Sequence, residues 1–377
     1  MQANGGHRVQ IDNRSGFPHA WFEKTGPGGI VYDVLVLRGT FELTGDYRPL
    51  PRADVQAPIV YADEYDGHPE ANPLQSVLRR EGDLTLFKPA SDVYVTGTAR
   101  SEGGVARPGW LAGIRVGTQR KLLQLHGPRR FERHGQDWRL SNAEPTSQVP
   151  LDYRYAFGGC YSVMANQQKQ VERVYNPDNP AGCGWLPGEA DLQAVSPEAR
   201  EQIRQWLEGV RELPAPQIED PQAPITSPHD DLPAQGFAPL ARWSQPRLQH
   251  AGTYDEHWQS ERYPLLPVDF DERFYQAAPP GLIQPGYLAG DEFISLLGML
   301  PEGLTHFRLP GVLALVSLTP FRGRTRQGPL VLDTVAIDLD TRQVSLLWRG
   351  TFERRNPLRR LAIGTLDVPF REAAPHG

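Results

Sequence analysis

Hydrophobic and polar residues alternate along several short stretches of the chain, and this alternation predicts β-strands. Between Val34 and Leu43 every second residue is apolar or glycine, as expected for a strand with one buried face. The segment 93–99 is rich in β-branched residues, which favour strands. Three late segments, 312–318, 330–337 and 343–352, predict a meander with a turn at 338–342 between the last two.

One stretch has helical spacing instead. Residues 196–213 predict an amphipathic helix, with Ser196 as N-cap and Pro197 at the first helical position. Its apolar stripe consists of Ile203, Trp206, Leu207, Val210 and Leu213. The following segment, 214–246, contains eight prolines, which predicts an extended connector that lies across other surfaces.

The pentapeptide Arg-Gly-Thr-Phe-Glu occurs twice, at 38–42 and 349–353. A catalytic signature, a duplication and chance convergence would each explain the repeat. Residues four apart on a strand are separated by about 13 Å, so the arginine and glutamate of one copy do not form a compact site. A central glycine lets another backbone or a large ring approach closely. We therefore expect a structural role, in equivalent strands of two related β lobes or through convergence.

Composition narrows the class of protein. The chain has 377 residues, a mean hydropathy of −0.48 and a net charge of −6, and no apolar run is long enough to span a membrane. The negative charge argues against a nucleic-acid binder. With only two cysteines and no apolar signal segment, the sequence predicts a cytoplasmic protein.

Candidate chemistry is sparse. The sequence lacks the common phosphate-binding loops, nucleophile elbows and metal-binding helix motifs. Two acidic clusters, one with Asp63 and Glu64 and the other with Asp255 and Glu256, are candidates for paired-carboxylate hydrolysis. An acidic turn is the favoured interpretation of the first cluster, and a surface rim around an aromatic anchor is the alternative for the second. A nucleophilic role for Cys160 stays open. We predict no cofactor and no metal.

Arginine and aromatic residues point to protein contacts instead. Only four of the 39 basic residues are lysines, and arginine is enriched at protein interfaces. The basic residues at 115–139 either bind an acidic surface of a partner protein or simply form a solvent-exposed face. The predicted partner-binding residues are Trp243, Arg247, Tyr254 and Trp258, with Arg129 and Arg130 as a secondary patch.

An ordered series of motifs between about residues 17 and 303 closely resembles a large bacterial family. The series includes VLVLRGTFEL, DYRYAFGG, YNPDNPAGCGW, GFAPLARWSQPR and AGTYDEHW. Genes of that family lie beside type VI secretion effectors, PAAR tips and VgrG spikes. The resemblance implies a cytoplasmic adaptor or chaperone that binds an effector and helps load it onto the spike. It supplies no catalytic residues.

The sequence thus predicts a mainly β protein with two sandwich- or barrel-like lobes, one helix and a proline-rich connector. The expected division is an N-terminal β lobe at 1–160, a connector at 161–250 and a C-terminal β lobe at 251–377. The expected function is non-catalytic effector binding, with an effector as partner, PAAR and VgrG as further candidate partners, and neither nucleic acid nor membrane. A hydrolase on a β scaffold is the alternative.

Overall fold

The computed structural model describes residues 9–165 and 170–368. Strands hold 41% of the residues and α- and 3₁₀-helices together 12%, which confirms the prediction of a mainly β protein. The strands are β1 Gln10–Asn13, β2 His19–Thr25, β3 Val31–Glu42, β4 Glu64–Asp66, β5 Val77–Arg80, β6 Asp92–Thr96, β7 Thr98–Arg100, β8 Gly109–Val116, β9 Gln119–His126, β10 Arg130–His134, β11 Asp137–Leu140, β12 Gln148–Pro150, β13 Phe157–Gly158, β14 Cys160–Ala165, β15 Gln170–Tyr175, β16 Cys183–Gly184, β17 Glu212–Pro214, β18 Ile218–Glu219, β19 Phe293–Leu297, β20 Leu304–Arg308, β21 Val312–Pro320, β22 Arg326–Pro329, β23 Val331–Asp338, β24 Gln343–Glu353 and β25 Leu358–Asp367. The helices are α1 Pro197–Gly209, α2 Gln245–Leu248 and α3 Glu256–Glu261. Within the described residues, no helix is both long and apolar enough to cross a membrane.

The central sheet has the strand order β2-β3-β24-β23-β6. The two copies of the repeated pentapeptide lie on β3 and β24, which are antiparallel neighbours with Arg38 opposite Leu347 and Leu35 opposite Gly350. The two copies therefore lie on neighbouring strands of one sheet, displaced along them, since 38–42 face 343–347 and 349–353 face 32–36.

Two further large sheets surround the same core. One has the order β1-β25-β21-β22, in which β1 pairs with β25 in parallel, and the other has the order β18-β9-β8-β19-β20. One continuous hydrophobic cluster takes residues from all three sheets, including Leu37, Ile114 and Ile363. Each of the three sheets joins strands from before residue 160 to strands from after residue 250. None of these sheets closes into a barrel.

The predicted boundaries at residues 160 and 250 stay a prediction. Strands from before residue 160 and after residue 250 are neighbours in all three large sheets. A second, smaller core contains Trp185 and Ile203 from the segment between these boundaries and Phe131 from before it.

Helix α1 confirms the predicted start and corrects the predicted end. The Ser196 hydroxyl accepts a hydrogen bond from the Ala199 amide at 3.3 Å, as an N-cap does. The helix ends at Gly209, because glycine is a poor helix former and the chain beyond it pairs with another strand, with Leu213 opposite Phe131. Leu213 is thus a strand residue and not part of the helical stripe.

Candidate functional site: an exposed aromatic patch

Three aromatic rings meet on the loop that carries α3. The ring of Trp258 lies 4.7 Å from that of Tyr254 and 5.7 Å from that of Tyr263, with both pairs edge-on. Such pairs contribute about 0.5–1.5 kcal/mol beyond the area they bury. The indole Nε1 of Trp258 donates to the carbonyl of Leu265 at 2.8 Å, which fixes the orientation of the ring.

The loop is closed at its base and capped at its helix. The Thr253 amide and hydroxyl donate to the two carboxylate oxygens of Asp269 at 3.0 and 2.8 Å, and these bonds hold the pKa of Asp269 below its usual value. The Asp255 carboxylate accepts from the Trp258 amide at 2.8 Å and so caps α3. These hydrogen bonds therefore fix the conformation of the surface loop that carries the aromatic rings.

Much of this apolar surface faces solvent. Tyr254 is 52% exposed, Tyr263 is 70% exposed and Val268 is 82% exposed. We call Tyr254, Trp258, Tyr263 and Val268 the aromatic patch. Four acids, Asp255, Glu256, Glu261 and Asp269, and one arginine, Arg262, lie in the same loop, so the loop that carries the patch has an excess of negative charge. The arrangement is typical of a protein contact surface with aromatic anchors.

Trp243, the third predicted aromatic anchor, packs within the molecule. Its ring stacks on Tyr65 at 4.9 Å with an angle of 21° between the ring planes. The neighbouring Arg242 contacts the Asp63 carboxylate at 2.8 Å. Trp243 thereby ties the region of α2 to the strand β4 and is only partly accessible.

Arg247 is buried and serves the core. It is 1% exposed, and its guanidinium donates to the carbonyls of Leu240 and Phe274 at 2.8–3.1 Å. It also lies 3.5 Å from Glu81, whose carboxylate is 2.5 Å from the ammonium of Lys88. Since no partner can reach a buried guanidinium, Arg247 is removed from the predicted contact surface.

The secondary patch divides in the same way. Arg129 is almost covered, and it contacts Glu219 at 2.6 Å and donates to the Pro216 carbonyl at 2.8 Å. Arg130 is exposed and contacts Glu132 at 3.1 Å. The two adjacent arginines therefore do not form one cationic surface.

The carboxylates of the hydrolase hypothesis have structural contacts. Asp63 accepts from the Gly82 amide at 2.8 Å and from the Tyr65 hydroxyl at 3.0 Å, in addition to its ion pair with Arg242. Glu64 pairs with Arg80 at 2.7 Å. Asp255 is a helix cap, and Glu256 follows it in the first turn, where a helix favours negative charge.

The cysteines and acidic clusters show no activated arrangement. Burial raises the pKa of the Cys160 thiol, and that of Cys183 rises to about 12, also chiefly through burial. Both thiols therefore stay protonated near neutral pH, which is unfavourable for a nucleophile. In the described part of the chain, no group of three or more His, Cys, Asp or Glu residues is placed to hold a metal ion.

The arginines of the repeated pentapeptide are buried and hold one segment. Arg38 contacts Asp83 at 3.0 Å, whereas Arg349 contacts Asp333 at 2.5 Å and donates to the carbonyls of Asp83 and Thr85 at 2.7 and 3.0 Å. These contacts place residues 83–85 over the polar face of the central sheet. The structural role expected for the repeat is therefore observed for both arginines.

Two members of the aromatic patch were missed by the sequence analysis. Tyr263 and Val268 lie in the stretch RYPLLPVD, where two prolines interrupt any helical or strand spacing. This interruption is the signal that the sequence offers for exposed apolar residues. Apolar residues that follow neither helical nor strand spacing are not predicted to lie on a buried face.

Comparisons with known proteins add one finding. A family model described as "Uncharacterized protein conserved in bacteria (DUF2169)" matches residues 30–349. Searches for similar curated proteins and for similar solved structures gave no match. The matched range includes α1, the aromatic patch and most of the central sheet, without β2 and the end of β24.

Proposed function

We propose that this chain, which belongs to the conserved bacterial family DUF2169, is a non-catalytic adaptor that binds another protein through its aromatic patch. The observation that carries the proposal is the exposure of Tyr254, Tyr263 and Val268 on a loop fixed by internal hydrogen bonds. A fixed apolar surface loses little conformational entropy on binding, so the buried area contributes more fully to affinity.

The charges on the loop that carries the patch indicate which kind of partner surface would complement it. Since four acids and one arginine share the loop, a partner with an apolar centre and a basic rim would complement it. Aromatic anchors surrounded by charges are the usual composition of binding hot spots.

We propose a type VI secretion effector as that partner, bound in the cytoplasm and passed to the VgrG or PAAR spike. Support for this class comes from the motif series given above, which resembles an adaptor family encoded beside such effectors. The contacts of Asp63, Glu64, Asp255 and Glu256 do not favour the hydrolase alternative, because each has a structural role or an ordinary surface position.

The test is a binding measurement with a matched pair of variants. The tagged chain is used to capture the purified products of its neighbouring genes, and any complex is measured by size-exclusion chromatography and calorimetry. Tyr263→Ser is compared with Tyr61→Ser, since both tyrosines are 70% exposed and only Tyr263 lies in the patch. We expect Tyr263→Ser to weaken the effector complex by about tenfold or more, and Tyr61→Ser to leave it unchanged.

Two outcomes would overturn the proposal. Equal affinity of both variants and the native chain would remove the patch from the interface. Absence of a complex with any effector, PAAR or VgrG product would remove the proposed partners.

A further inference from the structure

The sheet β18-β9-β8-β19-β20 has one buried face and one open face. Ile114, Leu123 and Ile294 point into the core and are at most 2% exposed. On the other face, Leu122 is 42% exposed and Leu297 is 40% exposed. This open face forms one side of a trough of about 800 Å³, and the segments at 220–222 and 280 border it.

The residues of the open face form two rows across the strands. In the apolar row, Gly113 on β8 lies between Leu122 on β9 and Leu297 on β19, and Leu297 is followed by Leu304 on β20, which is 54% exposed. Neighbouring strands are about 4.8 Å apart, so these leucines form a continuous apolar ridge on both sides of a glycine.

The second row is cationic and polar. Arg115 on β8 lies directly opposite Arg120 on β9, and Ser295 on β19 is the next residue in the row. Like charges in directly opposite positions destabilise a sheet pair. In the part of the chain that the structure describes, neither Arg115 nor Arg120 contacts a carboxylate within ion-pair distance.

Lys121 borders the trough at the edge of the sheet, because its position opposite Ile114 puts its side chain on the other side from the two arginines. Its ammonium donates to the Pro280 carbonyl at 2.9 Å, and Asp220 is the acid that faces it from the bordering segment. Burial lowers the pKa of Lys121 to about 8, against the smaller opposing effect of Asp220. Two arginines thus lie on the open face, with Lys121 and Asp220 at the border of the trough, in a chain whose net charge is −6.

We propose that this trough binds an acidic, leucine-bearing segment of a partner protein. Carboxylates of the segment pair with Arg115 and Arg120, and its aliphatic side chains pack on Leu122 and Leu297. The argument is charge complementarity: an anionic ligand removes the repulsion between two opposed arginines while an adjacent apolar row is covered. The surface is built from other elements than the aromatic patch, so the proposal does not depend on it.

The test uses fluorescence anisotropy of short labelled peptides with the full chain. The first peptide alternates glutamate and leucine, the second has glutamine in place of glutamate, and the third has lysine. We expect the glutamate peptide to bind at least about tenfold more tightly than the other two. The titration of the Lys121 ammonium, followed by NMR, should move to higher pH when the glutamate peptide binds, because a nearby carboxylate favours the charged amine.

Matched variants locate the site. Arg120→Gln and Arg115→Gln should each weaken binding of the glutamate peptide by about fivefold, while Arg324→Gln, an exposed arginine on the turn after β21, should change it by less than about twofold. Leu122→Ser should weaken it without changing its dependence on salt. Tyr263→Ser should have no effect, which separates this site from the aromatic patch.

Three results would overturn the proposal. The first is equal binding of the glutamate and glutamine peptides. The second is a loss of binding with Arg324→Gln as large as that with Arg120→Gln. The third is a Lys121 titration that does not change when the peptide binds. The second result would mean that the peptide responds only to net charge.

Discussion

The two arginines at equivalent positions of the repeated pentapeptide have equivalent surroundings. Each is buried, each contacts a buried aspartate, and both reach residues around Asp83. Removing one partner of a buried ion pair is costly because the other charge remains in a medium of low dielectric constant. The arginine is therefore repeated because both positions require a positive charge beside a buried aspartate.

Arg349→Met tests this requirement. Asp333 would be left buried without its partner, and we expect the free energy of unfolding to fall by about 3–5 kcal/mol. The measurement is urea unfolding followed by circular dichroism. Arg322→Met, at an exposed arginine, should change the free energy by less than about 0.5 kcal/mol. A loss below about 1 kcal/mol for Arg349→Met would contradict the role given to this contact.

Lys121 provides a second prediction for a single side chain. Its pKa of about 8 is below the ordinary value of 10.5, which the unfolded chain should show. Between pH 8 and 10.5 the unfolded state therefore binds more protons at this position, and the contribution of Lys121 to the free energy of unfolding rises with pH. An NMR titration of the four lysines should show one amine that titrates near pH 8. Titration of Lys121 near 10.5 would be the contrary result.

The strands β3 and β24 depend on small residues at their contact with the core. The rings of Phe41 and Trp348 approach the position that a Cβ on Gly39 would occupy to 3.0 Å, and the ring of Phe17 approaches it to 3.2 Å. This is the close approach of large rings that the mid-strand glycine predicts.

Gly39→Ala should accordingly destabilise the protein by about 1–3 kcal/mol, because the rings are packed and cannot move away freely. Gly364→Ala on β25 is the matched control, since a Cβ there would meet no atom within 4 Å. Thermal unfolding of both variants measures the difference. Equal melting temperatures would show that the core relaxes around the added methyl group.

Strand positions were predictable from the sequence because alternation reports burial locally. The segments 312–318, 330–337 and 343–352 correspond to β21, β23 and β24, and the turn after Asp338 joins β23 to β24. The order of the strands was not predictable, because β3 pairs with a strand more than 300 residues later in the chain. No local pattern specifies so distant a pairing.

The candidate site shows the same limit. Tyr254 and Trp258 were predicted for the surface and lie in the aromatic patch. Arg247 was predicted for the same surface and is buried, because its partners Glu81, Leu240 and Phe274 come from three separate segments. An arginine next to aromatic residues has the same local sequence in an interface and in a core.

The molecule as a whole is joined across its length by shared sheets. The central sheet, the sheet with β1 and β25, and the sheet with the trough each combine strands from before residue 160 and after residue 250. One core cluster connects them.

A fragment of residues 1–160 should therefore remain unfolded on its own. It contains β3 and β8 but lacks β24 and β19, their neighbours on one side. Circular dichroism and NMR of the fragment should show little ordered structure, and the full chain serves as the control. A well-dispersed spectrum of the fragment would instead support the predicted N-terminal lobe as an independent domain.

The parallel pair of β1 and β25 also determines how the protein would carry a mechanical load. Gln10–Asn13 lie beside Arg360–Ile363 in the same direction. Suppose that Gln10 is pulled towards the N-terminus and Asp367 towards the C-terminus. The force then acts along the two strands in opposite directions, so it loads all the hydrogen bonds between them at once, in shear. A chain held at one end and pulled at the other would therefore meet its first resistance at these four residue pairs, before the tension reaches the core.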